Sequence, residues 1–155
     1  MSNSKDPVIY WLREDFRIHD NLALTEAAKD NKNLILVYFS NYLDKQPGSA
    51  QEVWINNSFL EITKKYDEIY GLNIQCYDGD PIQYLEELHK KFGVSEIYIN
   101  EVFDPRTKKK DDKIKKYFTD QIIFKTYNSH LLFNPEEIKN NAGSYFKVYT
   151  PFWRN

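Results

Sequence analysis

The 155-residue sequence predicts an α/β fold: a doubly wound, five-stranded parallel sheet of Rossmann-like type, order 3-2-1-4-5, with helices on both faces. Three observations carry that expectation. Short apolar runs of strand length alternate with longer stretches whose apolar residues recur every three or four positions. The run Leu34, Ile35, Leu36, Val37, Tyr38 and Phe39 is apolar without interruption, as a central strand covered on both faces requires. Helix start and stop residues fall between these runs, which sets the crossovers.

Taken in order, the first strand is expected over 8–12, with Asp20 as N-cap of a helix over 21–29 whose Leu24, Ala27 and Ala28 form the apolar face. The second strand spans 34–40, and a polar connection follows over 41–48. Ser49 and Glu52 stand at capping-box spacing, and Ile55, Phe59, Ile62, Tyr66 and Ile69 form one stripe of a helix that Gly71 ends. A third strand over 72–77 places Cys76 on one face with Leu72 and Ile74, as a small core residue rather than a reactive thiol. Asp80 and Pro81 supply an N-cap and a first-position proline for a helix ending at Gly93, with Leu85, Leu88 and Phe92 toward the core. The fourth strand over 96–100, a basic helix over 108–118 and a fifth strand over 121–126 complete the sheet. Asn134, Pro135, Glu136 and Glu137 can open one short helical turn, and the aromatic segment 146–153 has no sheet slot. Residues 1–133 are therefore expected to form the α/β domain, and 134–155 the start of a connection to something else.

Composition excludes several chemistries. No apolar run approaches the roughly 20 residues of a membrane span, and the polar N-terminus lacks a secretory core. A single cysteine cannot form an internal disulfide, which fits a reducing cytoplasm. The five glycines are too scattered for a phosphate-cradling loop, no Gly-x-Ser-x-Gly elbow is present, and the three histidines have no partners at zinc spacing. No catalytic or metal-ligating set is expected in this segment. A formal net charge of −2 gives no global reason to expect binding to nucleic acid.

Ligands of open α/β sheets sit beyond the carboxyl ends of the strands, where strand order reverses. Here that crevice is bounded by the loop after the first strand, with Arg13, Asp15, Arg17 and Asp20, and by the loop after the fourth, with Asn100, Phe103 and Asp104. Mixed charge and aromatic character suit a pocket that stacks a planar ring and bonds its polar edge. The same charges also serve as salt bridges and caps that fix the loop, the reading preferred for Arg13, Asp15, Arg17 and Asp20.

The residues Ile9-Tyr10-Trp11-Leu12-Arg13-Glu14-Asp15-Phe16-Arg17-Ile18-His19-Asp20-Asn21 resemble the opening signature W-F-R-x-D-L-R-x-x-D-N of the DNA photolyase and cryptochrome family. Trp54-Ile55-Asn56-Asn57-Ser58-Phe59 is similar to the W-L-H-H-S-L pattern of its second helix in bacterial members. Lys147-Val148-Tyr149-Thr150-Pro151-Phe152-Trp153-Arg154 is similar to the K-V-F-T-P-F-W-R segment that closes its N-terminal domain. The resemblance implies the N-terminal antenna domain of a deoxyribodipyrimidine photolyase. Such a domain holds a folate or deazaflavin chromophore that passes excitation to FAD in a larger C-terminal helical domain, absent from this chain, which also meets damaged DNA. Repair is then expected of the full-length protein and not of this segment alone. Alternatives are a cryptochrome-type blue-light receptor or a stand-alone α/β nucleotide-binding module.

Carried over by position, the antenna pocket candidates are Arg13, Ser40, the start of the second helix at Gln51, Glu52 and Ile55, and the fourth-strand loop at Asn100, Phe103 and Asp104. Deazaflavin-binding members often carry an arginine where this chain has Gln51 and Glu52. Folate-binding members often place asparagine-glutamate where it has Arg106 and Thr107, so the antenna type stays open. Elsewhere, residues 106–116 hold seven basic and two acidic residues and read as a solvated helix face. Trp54 is expected to pack beside the Ile55 stripe, His89 to lie on the polar flank of its helix, and the 146–153 segment to pack against the absent domain.

Overall fold

Strands apolar at every position must be covered on both faces, and β1 (Val8–Leu12) is buried along its whole length. The computed structural model describes residues 6–29, 33–42, 48–135 and 137–154. Around β1 lie β2 (Leu34–Phe39), β3 (Ile74–Tyr77), β4 (Glu96–Asn100) and β5 (Ile123–Tyr127), all parallel, in the expected order β3-β2-β1-β4-β5. Order reverses between β1 and β4, which pair from Val8 with Glu96 to Tyr10 with Tyr98.

Period-two alternation divides the core. Val8, Tyr10, Leu12, Leu36, Tyr38 and Tyr98 face α1 (Leu22–Ala28) and α2 (Ala50–Tyr70). Ile9, Trp11, Val37, Phe39, Ile97 and Ile99 face α3 (Pro81–Phe92) and α4 (Pro105–Tyr117). A short α5 (Tyr149–Trp153) follows a long irregular stretch.

Local chemistry explains most boundaries. Ser49 accepts from Glu52 N at 3.2 Å as read, while the Glu52 carboxylate accepts from Gly48 N, one residue before the cap, so the return bond of the capping box is shifted by one position. Asp80 caps α3 with Pro81 behind it, and Gly93 ends it in the left-handed region.

Several expectations need correction. Asn21, not Asp20, caps α1: its side chain accepts from Leu24 N at 3.1 Å, while Asp20 takes a positive φ of 52° that turns the chain into the helix. α4 begins at Pro105 under an Asp104 cap, three residues before the expected start. Cys76 is exposed because β3 is an edge strand. Ile69 and Phe92 lie at the last turns of α2 and α3, past the end of the sheet contact, and are exposed. Trp54 is 68% exposed rather than packed. His89 sits on the flank of α3 and bonds the Val94 carbonyl through Nδ1 at 2.7 Å. Near 134, Glu137 N donates to Asn134 O at 3.0 Å in a single turn. Glu136 of that turn, and most of the polar connection over 41–48, lie outside the described residues.

Gly71 ends α2 at φ 62° with open space where a Cβ would stand, so only backbone strain opposes a side chain there. Gly71→Ala is expected to lower stability by about 1 kcal/mol in chemical denaturation; no change would show that the last turn of α2 frays at little cost.

Candidate functional site

Two polar clusters stand at the carboxyl edge of the sheet, one on each face, and both start from the loop that follows β1. The first is centred on Asp15, a carboxylate buried on the α1 side. Tyr10 Oη donates to its Oδ2 at 2.6 Å, Arg13 N to its Oδ1 at 2.7 Å, and Asn100 Nδ2 to Oδ2. Asn100, the last residue of β4, spends its whole side chain: Nδ2 also donates to Asn21 Oδ1 at 2.8 Å, and Oδ1 accepts from Ala23 N at 3.2 Å and Ser129 Oγ at 2.7 Å. Asn21 Nδ2 completes the knot on Tyr10 Oη at 2.7 Å. Burial and the neighbouring Asp15 charge push the Tyr10 phenol well above its ordinary range, so it stays a donor.

Parity sends the next residues to the other face. Arg13 follows Trp11 toward α4, is 2% exposed, and its guanidinium lies 4.6 Å from the centre of the Trp11 ring and 5.6 Å from that of Tyr42. Nη1 donates to Asp111 Oδ2 at 2.7 Å, and the other Asp111 oxygen accepts from Tyr42 Oη. That bond and burial raise the Tyr42 phenol far above its ordinary range, burial being the larger cause. Arg13 Nε and Nη2, which share one edge of the guanidinium plane, have no hydrogen-bond partner among the described residues. A buried donor without an acceptor costs about 1–3 kcal/mol, and two such donors on one edge form a fork of the geometry that meets a planar acceptor.

Joined to this cluster through Tyr42 is a cleft of about 300 Å³ lined by Asn41, Tyr42, Asp80, Ile82, Lys110 and Lys113, among others. It lies where β2 and β3 end and α3 begins, against α4. Tyr42 belongs to both the Arg13 cluster and the cleft. Lys110 reaches across it, donating to Tyr42 O at 2.9 Å. A second crevice, of about 340 Å³, lies between Phe16 and α2 with Trp54 on its wall. Another hollow, of about 680 Å³, is an apolar trough formed by residues of the 130–153 stretch and is remote in character from the polar strand ends.

The pocket candidates are thus distributed unevenly. Arg13 is buried behind Tyr42 and does not itself line the cleft, and Ser40 follows β2 with its hydroxyl 3.3 Å from Tyr77 O. Asn100 is saturated in the Asp15 knot. Asp104 is the α4 cap, its carboxyl held below the usual range by the backbone N–H and hydroxyl of Thr107. Phe103 is half-buried, Gln51 is exposed, Glu52 is used in its capping box and Ile55 is buried within α2. Asp111, Tyr42, Lys110 and Ser129 are the residues that sequence reasoning missed. Asp111 carries a signal: Thr107, Asp111, Ile114 and Phe118 recur at helical spacing, which puts a carboxylate on a buried stripe and calls for a buried cation.

No cluster of metal-ligating side chains occurs among the described residues, and no helix there is long and apolar enough to cross a membrane.

A doubly wound parallel sheet with a cleft at the carboxyl ends of its strands and a β1 loop locked by buried polar groups defines the class of open, Rossmann-like α/β domains. The DNA photolyase family model matches residues 8–155, and this chain belongs to that family, as its N-terminal α/β domain. It is 30% identical over 155 residues to the deoxyribodipyrimidine photo-lyase of Agrobacterium fabrum, covering 99% of this chain and 32% of that protein. Cryptochrome-1 of Arabidopsis thaliana is 27% identical over 148 residues, covering 94% of this chain and 22% of the relative. The crystal structure of a bacterial class III photolyase from Agrobacterium tumefaciens superposes with a TM-score of 0.91 at 31% identity, over 99% of this chain and 32% of that one. An archaeal photolyase from Sulfolobus tokodaii, described with two FAD molecules and a novel light-harvesting cofactor, superposes with a TM-score of 0.73 at 25% identity, over 86% and 32%. The chain spans about a third of the length of the photolyases it matches.

Removing Asn100 takes one hydrogen bond each from Asp15, Asn21, Ser129 Oγ and Ala23 N together. Asn100→Ala is expected to lower stability by about 3 kcal/mol in denaturant titration, and a loss under about 1 kcal/mol would show that water replaces the amide without strain.

Proposed function

We propose that this chain is the antenna domain of a DNA photolyase, holding a light-harvesting chromophore at the carboxyl edge of its sheet. In the full-length protein it would serve light-driven repair of pyrimidine dimers. The single observation that carries the ligand site is the Arg13 fork: a buried, aromatic-stacked guanidinium whose Nε–H and Nη2–H edge has no acceptor among the described residues and which reaches the cleft through its neighbour Tyr42. When bound, the chromophore supplies absorption of near-ultraviolet or blue light and transfer of that excitation to FAD in the remainder of the protein. The light-harvesting cofactor described for the Sulfolobus tokodaii relative supports that reading.

The chain's own groups have distinct duties here. Arg13 takes a planar acceptor edge with its fork, while Asp111 neutralises its charge and fixes its plane. This arrangement suits acceptor atoms of a folate or deazaflavin, such as a ring carbonyl oxygen or a carboxylate. Tyr42 supplies a flat wall, and Lys110 a cation at the mouth of the cleft. Ser40, Gln51, Glu52, Ile55 and Phe103 would complete the surroundings of the ligand, and Asn100 and Asp104 would act as positioning residues.

Residues 1–133 form the α/β domain in this reading, and 134–155 lead toward the C-terminal flavin-binding domain. Leu132, Tyr149 and Trp153 are well exposed along the apolar trough, as a surface waiting for that domain requires. Damaged DNA would be met through the C-terminal domain, repair would be absent from the isolated segment, and the protein would work in the cytoplasm without a membrane. Likeness to cryptochrome-1 supports the runner-up, a blue-light receptor. A stand-alone nucleotide-binding module would share only the sheet, and the match across residues 8–155 speaks against it.

In the full-length protein, Arg13→Lys retains a cation for Asp111 but removes the fork, so it is the informative variant. Chromophore released by denaturation is expected to fall at least about tenfold, while FAD content stays constant. Equal chromophore content in variant and wild type would sink the Arg13 assignment, and light-dependent loss of dimers from irradiated DNA separates photolyase from receptor.

A further inference from the structure

The α4 helix carries an excess of positive charge that the antenna reading leaves unused, and the structure sorts its cations into two groups. Lys108, Lys110 and Lys115 point inward or sideways to partners: Glu101 at 3.9 Å, the Tyr42 carbonyl at 2.9 Å and Thr126 Oγ1 at 3.1 Å. Arg106, Lys109, Lys113 and Lys116 are exposed and belong to none of the ion pairs among the described residues. At 100° per residue these four fall within an arc of about 80° and span about 15 Å along the helix. Phosphates on one strand of a duplex are spaced at about 3.4 Å per residue along the axis, so the stripe can meet several of them at once.

Neighbouring acids do little to cancel it. Asp111 is buried against Arg13, Asp104 is engaged as the cap, and Glu86 of α3 already holds Lys90 and Tyr117. Asp112 is the one exposed carboxylate within the helix itself. On a chain whose formal net charge is −2, a row of four unpaired cations is a local feature with its own field.

We propose that the exposed stripe of α4 is an accessory contact for the phosphate backbone of duplex DNA, separate from lesion recognition. It acts without reading sequence, adding affinity that falls with salt. The inference rests on the photolyase reading for its choice of polyanion.

The test uses the full-length protein and an undamaged mixed-sequence duplex, with binding followed by fluorescence anisotropy between about 50 and about 200 mM salt. Lys113 also lines the cleft and is left intact. The triple variant Arg106→Gln, Lys109→Gln, Lys116→Gln is compared with a charge-matched control on other surfaces, Lys64→Gln, Lys65→Gln, Lys139→Gln. The α4 variant is expected to lower the slope of log K against log salt by about 2 to 3, near 0.9 for each lost phosphate contact, with the control unchanged. An unchanged slope in the α4 variant, or an equal fall in the control, overturns the proposal while leaving the antenna reading intact. Wild-type protein that does not bind the undamaged duplex would likewise overturn this inference, while the photolyase reading stands or falls separately on light-dependent loss of dimers.

Discussion

Burying a carboxylate where the sheet reverses direction obliges its surroundings to replace the water it has lost. Asp15 receives a phenol, a backbone N–H and an amide from three different positions, and each donor must itself be held in place. Asn100 can donate there only because its carbonyl oxygen is satisfied by Ala23 N and Ser129 Oγ. Ser129 in turn also accepts from Leu22 N, and its carbonyl accepts from Arg17. The end of β4, the start of α1, the β1 loop and the segment after β5 are therefore tied through one side chain. A loop of this length would otherwise be mobile, and the knot makes it a fixed edge on which a ligand site can be built.

The Asp15 bond to Arg13 N also decides where Arg13 goes. With its backbone pinned on the α1 side, the side chain continues the alternation of Trp11 and enters the α4 side, where Asp111 awaits it. Opposite demands are thus kept apart by the sheet. On one face every polar atom of Asn100 is matched and rigidity results. On the other an ion pair is left with one edge that has no partner among the described residues, and a buried open edge of that kind carries a cost that an acceptor placed there would remove.

Much of this was legible from residues alone, for identifiable reasons. The capping box at Ser49 and Glu52, the Asp80-Pro81 start and the glycine ends of α2 and α3 are local codes, and local codes survive without tertiary information. The uninterrupted β2 run and the crossovers pointed to a doubly wound sheet, and the strand order is the common one for that class. What failed was whatever depended on a neighbour's position: Cys76 needed β3 to be an edge, Ile69 and Phe92 needed the limit of sheet contact, and Trp54 needed the width of the gap to Phe16. Asp20 and Asn21 are both good caps, and only the positive φ at Asp20 distinguishes them. At the site, Arg13 was marked by its motif, but its partner Asp111 is 98 residues away and hidden in a run of lysines.

That run is itself a physical consequence of how α4 is held. Its inward stripe is short on apolar area, with Thr107 and Asp111 alternating with Ile114 and Phe118, so docking relies on directed polar contacts as well as burial. Arg13 to Asp111, Lys110 to the Tyr42 carbonyl and Lys115 to Thr126 fix the helix in rotation as well as position. A helix fixed in rotation presents a constant outer face, whereas one held by a featureless apolar stripe tolerates small turns about its axis. The buried ion pair thus orients both the wall of the cleft and the exposed cations on the far side, and a substitution at Asp111 acts on both together.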